Sequence, residues 1–439
     1  MRVFLCVLMG WFVGTIHAQL LPPIYNYAPS VYSGESQNWK ICQAINQKIY
    51  FANNIGLLEF NGVVWQHYPL PNGAIVRAVN AKGNTIYTGG FAEFGYWQAD
   101  AFNRLQYTSL SKRLAPKDIE DEEVWKIVFF DHWVLFQSLH KLYIYDSQHD
   151  RFHIVHSQNN LPKIFKVGEH IFFQKMNEGL FALVNGKEEL RSEASLFREH
   201  IVINIFPYKG KFLFVTQDKG IYEGTPAEVK PWQVSTEALT SSLNIYSCEQ
   251  LSDGSILLGT IANGVYRLSP EGQLWEHLHQ KQGLQNNTVL SIFEDKEHNV
   301  WLGLDNGISM VNFFSPFRQY KDNEGVLGAV YTSIVYQGDL YLGTNQGLFY
   351  APFPLKAGQP FQLVEGTKGQ VWQLKELQGT LFCGHNSGTF VINNHRAQLV
   401  CNLLGTWDIK PVEGHPNWLL QGNYEGLYLL ELKEGRWQY

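Results

Sequence analysis

The 439-residue chain is 45% hydrophobic and 14% aromatic with only 17% charged residues, so it has the apolar surface to offset chain entropy, and wholesale disorder is excluded. Its formal charge of -6 is thinly spread and no run of Lys and Arg forms a basic stripe, which argues against direct contact with nucleic acid.

The first residues read as a secretory signal. Met1-Arg2 is a positive start, Val3 to Ile16 an apolar stretch too short to read as a spanning helix, and His17-Ala18-Gln19 a small-residue cleavage site. Residues 1–18 are therefore expected to be removed, with an uncleaved anchor as the alternative, and the mature chain is expected to be exported to the periplasm. Export would permit disulfides among Cys42, Cys248, Cys383 and Cys401, but none has metal or redox spacing. Four buried thiols are the favoured reading, with Cys383–Cys401 the bridge to expect if one forms.

From residue 38 onward one unit recurs. Its clearest copy runs through Val289-Leu290-Ser291-Ile292-Phe293, a turn, Val300-Trp301-Leu302-Gly303-Leu304, Asp305-Asn306-Gly307 and Ile308-Ser309-Met310-Val311: alternating strands joined by tight turns. The glycine of the second turn recurs as Gly56, Gly95, Gly179, Gly220, Gly264, Gly307, Gly347, Gly388 and Gly426, at intervals of 38 to 44 residues, with one gap of 84 around Leu139-His140-Lys141 where a copy lacks it. That period is the length of a four-stranded propeller blade, and a turn needing positive φ favours glycine.

Just before each marker an inner strand begins with Trp39, Arg77, Trp125, Phe165, Ile203, Tyr246, Leu290, Tyr331, Trp372 and Trp407. Two residues on lies a nearly all-apolar set headed by Ile41, Val79 and Ile127. The aromatic leaders read as packing between blades, because they recur in blade after blade. The residues between, including Lys40, Ala78, Lys126, Lys166, Asn204 and Ser247, are expected to border the central channel. Lys40, Lys126 and Lys166 with Arg77 would form a cationic patch there, able to attract an acidic saccharide; solvated lysines are the plainer reading. Residues 89–97, where Glu93 and Tyr96 sit among aromatics, are the least repeat-like piece and a second candidate for ligand contact. The acidic run 118–123 lacks calcium-loop spacing and reads as a solvated loop.

Ile24-Tyr25-Asn26-Tyr27 resembles the outer strands Leu274-Trp275-Glu276-His277 and Phe317-Arg318-Gln319-Tyr320. If it completes the seventh unit, the ring closes without an exposed edge. The expectation is an all-β chain: a seven-bladed β-propeller over residues 19–316, followed over 317–439 by an incomplete second propeller arc of about three blades. Three blades cannot close, so that arc should have open edges and invites self-association or continuation into further blades. No catalytic motif, metal-ligand spacing or cofactor loop is found, and the chain reads as non-catalytic, without metal or cofactor.

Leu302-Gly303-Leu304-Asp305-Asn306-Gly307 and Leu342-Gly343-Thr344-Asn345-Gln346-Gly347 resemble the propeller repeat of bacterial two-component-type regulators. Gln37-Asn38-Trp39-Lys40-Ile41, Ile49-Tyr50-Phe51-Ala52-Asn53-Asn54-Ile55-Gly56, Gly89-Gly90-Phe91-Ala92-Glu93-Phe94-Gly95-Tyr96-Trp97 and Trp133-Val134-Leu135-Phe136-Gln137-Ser138 resemble the triple-tyrosine-motif sensor regulators of the Bacteroidetes type. The resemblance implies tandem propellers outside the inner membrane, a β-sandwich, one spanning helix and a LuxR-type helix-turn-helix domain, with an extracytoplasmic ligand, often a glycan, sensed and signalled inward. It supplies no residue-level ligand site. The chain departs from that pattern by ending within the second propeller, so membrane attachment would come only through a downstream region. A free-standing exported propeller that binds glycan or protein is the alternative.

Overall fold

A computed structural model describes residues 20–184, 186–235, 243–320, 322, 325–355 and 359–439; the signal-peptide reading lies outside them. Alternation of apolar and polar residues, interrupted by Gly, Asn and Asp, gives four-stranded antiparallel meanders throughout. The first sheet consists of Asn38–Gln43, Ile49–Asn53, Gly56–Phe60 and Trp65–Tyr68. Ten such sheets are present among the described residues.

Seven of them form one unit, Pro22–Phe317. Their inner strands, Asn38–Gln43, Val76–Lys82, Lys126–Phe130, Ile164–Val167, Val202–Tyr208, Ile245–Gln250 and Val289–Glu294, each lie beside the next, and the last lies beside the first. The ring is therefore closed. Its seventh sheet takes its outer strand from the chain start: Ile24–Tyr27 pairs antiparallel with Ile308–Val311. The other unit holds three sheets, led by Val330–Tyr336, Val371–Leu377 and Asp408–Val412, together with the pair Leu20–Leu21 and Gln319–Tyr320. The division thus falls between Phe317 and Arg318, and Leu20–Leu21 belongs with the C-terminal sheets.

The cores lie between neighbouring sheets. Ile41, Phe51 and Leu58 of the first sheet pack on Trp301 and Ile308 of the seventh, while Cys42 and Tyr50 pack on Val79, Ile86 and Trp97 of the second. Each large apolar side chain so buried contributes about 1.5–3 kcal/mol. All four described cysteines are free and buried. Cys383 and Cys401 belong to different cores, so the fold uses them as small apolar residues rather than as a bridge.

The marker glycine does more than turn the chain. Gly56 has φ of +135°, and a Cβ there would lie 2.5 Å from the Tyr68 carbonyl oxygen. Gly95 is outside the positive-φ region, yet a Cβ would meet the Thr108 oxygen at 2.2 Å. The shared requirement is close approach of the fourth strand to the start of the third.

A second repeated irregularity sits in the inner strands. Pairing skips one residue between Asn38 and Lys40, Val76 and Ala78, Val202 and Asn204, Ile245 and Ser247, and Val289 and Ser291. The residues left over are Trp39, Arg77, Ile203, Tyr246 and Leu290. In the third sheet Trp125 donates its N–H to Gln137 O at 2.8 Å while Lys126 is the residue paired with Gln137. A bulge of this kind removes a residue from the ladder and redirects its side chain.

Candidate functional site: the channel of the seven-sheet ring

The bulges decide what faces the channel. In every sheet of the ring but the second, both the residue at the bulge position and the one after it line a cavity of about 250 Å³, which includes Trp39, Lys40, Arg77, Trp125, Lys126 and Lys163; in the second only Arg77 does, and Ala78, expected at the channel, is buried in the core instead. The residue after those, Ile41, Val79, Ile127, Ile164, Ile205, Cys248 or Ile292, is buried in every sheet of the ring. The expectation that the aromatic leaders pack between blades holds in part: Phe165 is buried in a core and Trp39 packs against another, but Trp39 and Trp125 are only half-buried and also form the channel wall.

One side of the wall is a clamp. The Arg77 guanidinium carbon lies 3.9 Å from the centre of the Trp39 ring and 5.2 Å from that of Trp125, and the two indoles meet edge to face at 6.1 Å. Glu123 accepts a hydrogen bond from Arg77 Nε at 2.8 Å, and Trp39 Nε1 donates to Asn54 Oδ1 at 2.7 Å. Glu123 belongs to the acidic run, which is only partly a solvated loop. Its Glu122 is buried with Oε1 3.4 Å from Lys141 Nζ, while Glu120 and Asp121 are exposed.

Three polar atoms on cavity-lining residues are buried without a hydrogen-bond partner among the described residues: Arg77 Nη1, Trp125 Nε1 and Gln137 Oε1. Gln137 spends its amide donors on the Ser138 and Leu161 carbonyls, at 2.7 Å each. Unmet donors and acceptors in a partly dehydrated cleft are costly unless a polar guest satisfies them.

Next to the clamp the wall is cationic. Lys126 Nζ sits 4.9 Å from the centre of the Phe165 ring. Lys163 Nζ lies 3.4 Å from the Tyr246 carbonyl oxygen and 5.6 Å from its ring centre. Burial, reinforced by the positive charges of Lys40 and Lys163, drives the Lys126 amine well below the ordinary lysine range. Burial, with Lys40 beside it, brings Lys163 down to about 8. Across the channel, burial pushes the Glu249 carboxyl up against the opposing pull of Lys40 and Lys126.

Of the residues singled out from sequence, Lys40, Arg77 and Lys126 come together in this cavity. Lys166 does not. Lys126 stands opposite Gln137, and the matching glutamine of the fourth sheet, Gln174, donates its N–H to the carbonyl of Lys163. Lys163 is therefore the counterpart of Lys126, and Lys166, three residues on and exposed, lies outside the cavity. Glu93 and Tyr96 lie elsewhere too. Glu93 is buried, and its Oε1 accepts from Tyr107 Oη, Ser109 Oγ and Ser111 Oγ at 2.9, 2.6 and 2.8 Å. Tyr96 packs on Tyr87 at 5.8 Å between ring centres. Sequence reasoning missed Lys163, Tyr246 and Glu249. The signal that finds Lys163 is Ile164, which restores the apolar position of the register that Phe165 and Val167 only imitate.

The C-terminal sheets repeat the bulge at Tyr331 and Trp372. There the leaders stack on one another: Tyr331 on Trp372 at 5.3 Å and Trp372 on Trp407 at 4.4 Å.

The family model described as the two component regulator propeller matches residues 283–306, the seventh sheet's first hairpin with its approach. No curated protein matches the chain. Among solved structures, the extracellular domain of the B. thetaiotaomicron protein BT3049, titled as a hybrid two component system, superposes with a TM-score of 0.68 at 16% identity, over 96% of this chain and 60% of that one. The extracellular domain of BT4673 from the same organism gives 0.54 at 18% identity, over 93% and 58%. Streptogramin B lyase gives 0.51 at 15% identity, over 66% of this chain and 97% of its own. The chain spans about three fifths of the two Bacteroides domains it resembles. At these identities the likeness establishes the fold, an all-β propeller similar to the extracellular domains of such regulators.

Proposed function

We propose that this chain is the extracytoplasmic, non-catalytic ligand-sensing region of a signal-transducing regulator, and that the channel of its seven-sheet ring holds a small acidic saccharide. The observation that carries this reading is the wall itself: lysines next to a Trp–Arg–Trp clamp, with buried donors left free. An indole face suits the apolar face of a sugar ring, the lysines suit a carboxylate or sulfate, and a cavity of about 250 Å³ suits one or two rings. The structural likeness to regulator extracellular domains supports the sensing role and the placement outside the inner membrane; transcriptional output through a downstream LuxR-type region rests on the sequence resemblance alone.

The test is calorimetric titration with a panel of uronate-containing and sulfated mono- and disaccharides beside their neutral counterparts. Acidic members should bind, and Lys126→Met or Trp125→Ala should weaken them at least about tenfold, the scale of one lost charged or stacking contact. Equal binding of neutral sugars, or wild-type affinity in both variants, overturns the reading. Turnover of any panel member would move the protein to an enzyme class.

A further inference from the structure

The channel's charges do not balance, and the imbalance says something about what enters. Lys40, Lys126 and Lys163 project from the first, third and fourth sheets into one cavity. Arg77 of the second sheet is already matched by Glu123. From the sixth sheet Tyr246 and Cys248 line the cavity, and Glu249, next along the strand, acts on it through the charges of Lys40 and Lys126; burial raises both the Tyr246 phenol and the Cys248 thiol, so both stay uncharged. From the seventh comes Glu294, whose charge acts on Glu249 while its own carboxylate is taken up by Ser252 and His298. The fifth sheet contributes the neutral Asn204. Three amines thus face one available carboxylate, Glu249, and an excess of two positive charges in a half-buried space is unfavourable.

We propose that the channel selects ligands carrying at least two negative charges, and that binding them draws protons onto Lys126 and Lys163. This rests on the reading that the channel is the ligand site. In the free protein burial and mutual repulsion weaken the hold of both amines on their protons. A dianion reverses that balance, because each of its charges stabilises an ammonium group. The direction of the pH dependence follows. Below the depressed lysine range both amines are already charged and affinity is at its maximum. As pH rises through that range, around 8 for Lys163, each amine must gain a proton when the ligand binds, and affinity falls by up to about tenfold per pH unit for each.

Two measurements test it. In the first, competitive acetylation read by peptide mass spectrometry across the alkaline range compares Lys126 and Lys163 with the exposed Lys187, with sulfate as the probe against chloride at equal ionic strength. The two channel lysines should titrate below Lys187 and move upward by about a unit or more in sulfate. Titration like Lys187, or no response to sulfate, overturns the inference. In the second, binding enthalpy of digalacturonate is measured above pH 8 in bicine and in Tris, neither of which is a dianion. Dependence on the buffer's ionisation enthalpy, reduced in Lys163→Met, is expected. Binding with no buffer dependence removes the proton uptake and leaves the saccharide reading standing. Sulfate-responsive lysines with no saccharide bound remove the saccharide and leave the charge selection.

Discussion

Glu93 and Arg77 show how differently two charged residues in strands of the same sheet are used. Both lie near aromatics, and both were candidates for ligand contact. Glu93 opens the strand Glu93–Ala99 and gathers three hydroxyls on one oxygen. Its replacement by Ala takes this acceptor from all three, leaving the two serines their mutual contact at 3.1 Å, so Glu93→Ala should lower unfolding free energy by about 2–4 kcal/mol in urea titration while leaving affinity for channel ligands unchanged. Arg77 is the reverse case. Its Nε is fixed by Glu123 and its plane by two indoles, leaving Nη1 buried without a hydrogen-bond partner among the described residues. Arg77→Met keeps much of the stem but loses the cation–π contacts, at a cost of about 1–2 kcal/mol, and it should weaken anionic ligands more than it weakens the fold. Glu123→Gln separates the two roles: Arg77 keeps its stacking but loses its counter-charge, so anion affinity should rise in calorimetric titration. An unchanged or weaker affinity would mean that positioning by Glu123 matters more than charge.

At the scale of the inner strand, most of the architecture was legible in the sequence and most of the site was not, for one physical reason. Period-two alternation finds strands and their faces, and the marker glycine finds the blade length; both are properties of regular pairing. The channel wall is set by irregular pairing. One extra residue in the strand turns Trp39 and Lys40 to the same wall, so alternation assigns one of them wrongly. The fourth sheet compounds this, since Phe165-Lys166-Val167 copies the aromatic, polar, apolar triplet of Trp125-Lys126-Ile127 three residues beyond its true place at Pro162-Lys163-Ile164. An odd shift in a strand exchanges faces, which is why Lys166 is exposed. The pair gives a direct comparison. Lys163→Met should reduce affinity for an acidic ligand at least about tenfold, whereas Lys166→Met should change neither affinity nor melting temperature by a measurable amount.

For the molecule as a whole, the ring depends on a strand from the start of the described chain. The likeness of Ile24-Tyr25-Asn26-Tyr27 to outer strands was enough to expect the closure, because pairing to an edge needs only an extended segment with the right alternation. The structure adds what holds it. Tyr27 stacks on Trp301 at 5.9 Å and meets Trp65 of the first sheet at 5.4 Å, and Asn26 accepts from Ser309 Oγ at 2.7 Å while donating to Gly283 O at 2.8 Å. Tyr27 thus joins the seventh sheet to the first at the seam where the chain's two ends of the ring meet. Elsewhere around the ring each sheet is tied to the next by a covalent connection; at this seam the connection is the strand itself. Tyr27→Ala removes a half-buried ring from both sheets and should cost about 2–4 kcal/mol. Deleting residues through Tyr27 should do more, since it leaves the backbone groups of Ile308–Val311 unpaired on one side and offers them to another chain. Size-exclusion chromatography with light scattering should then show more association than the full chain under the same conditions, together with a lower melting temperature. A truncated chain that stays dispersed and melts as the full chain does would place the closing force in the packing of the inner strands, with the N-terminal strand a passive cover.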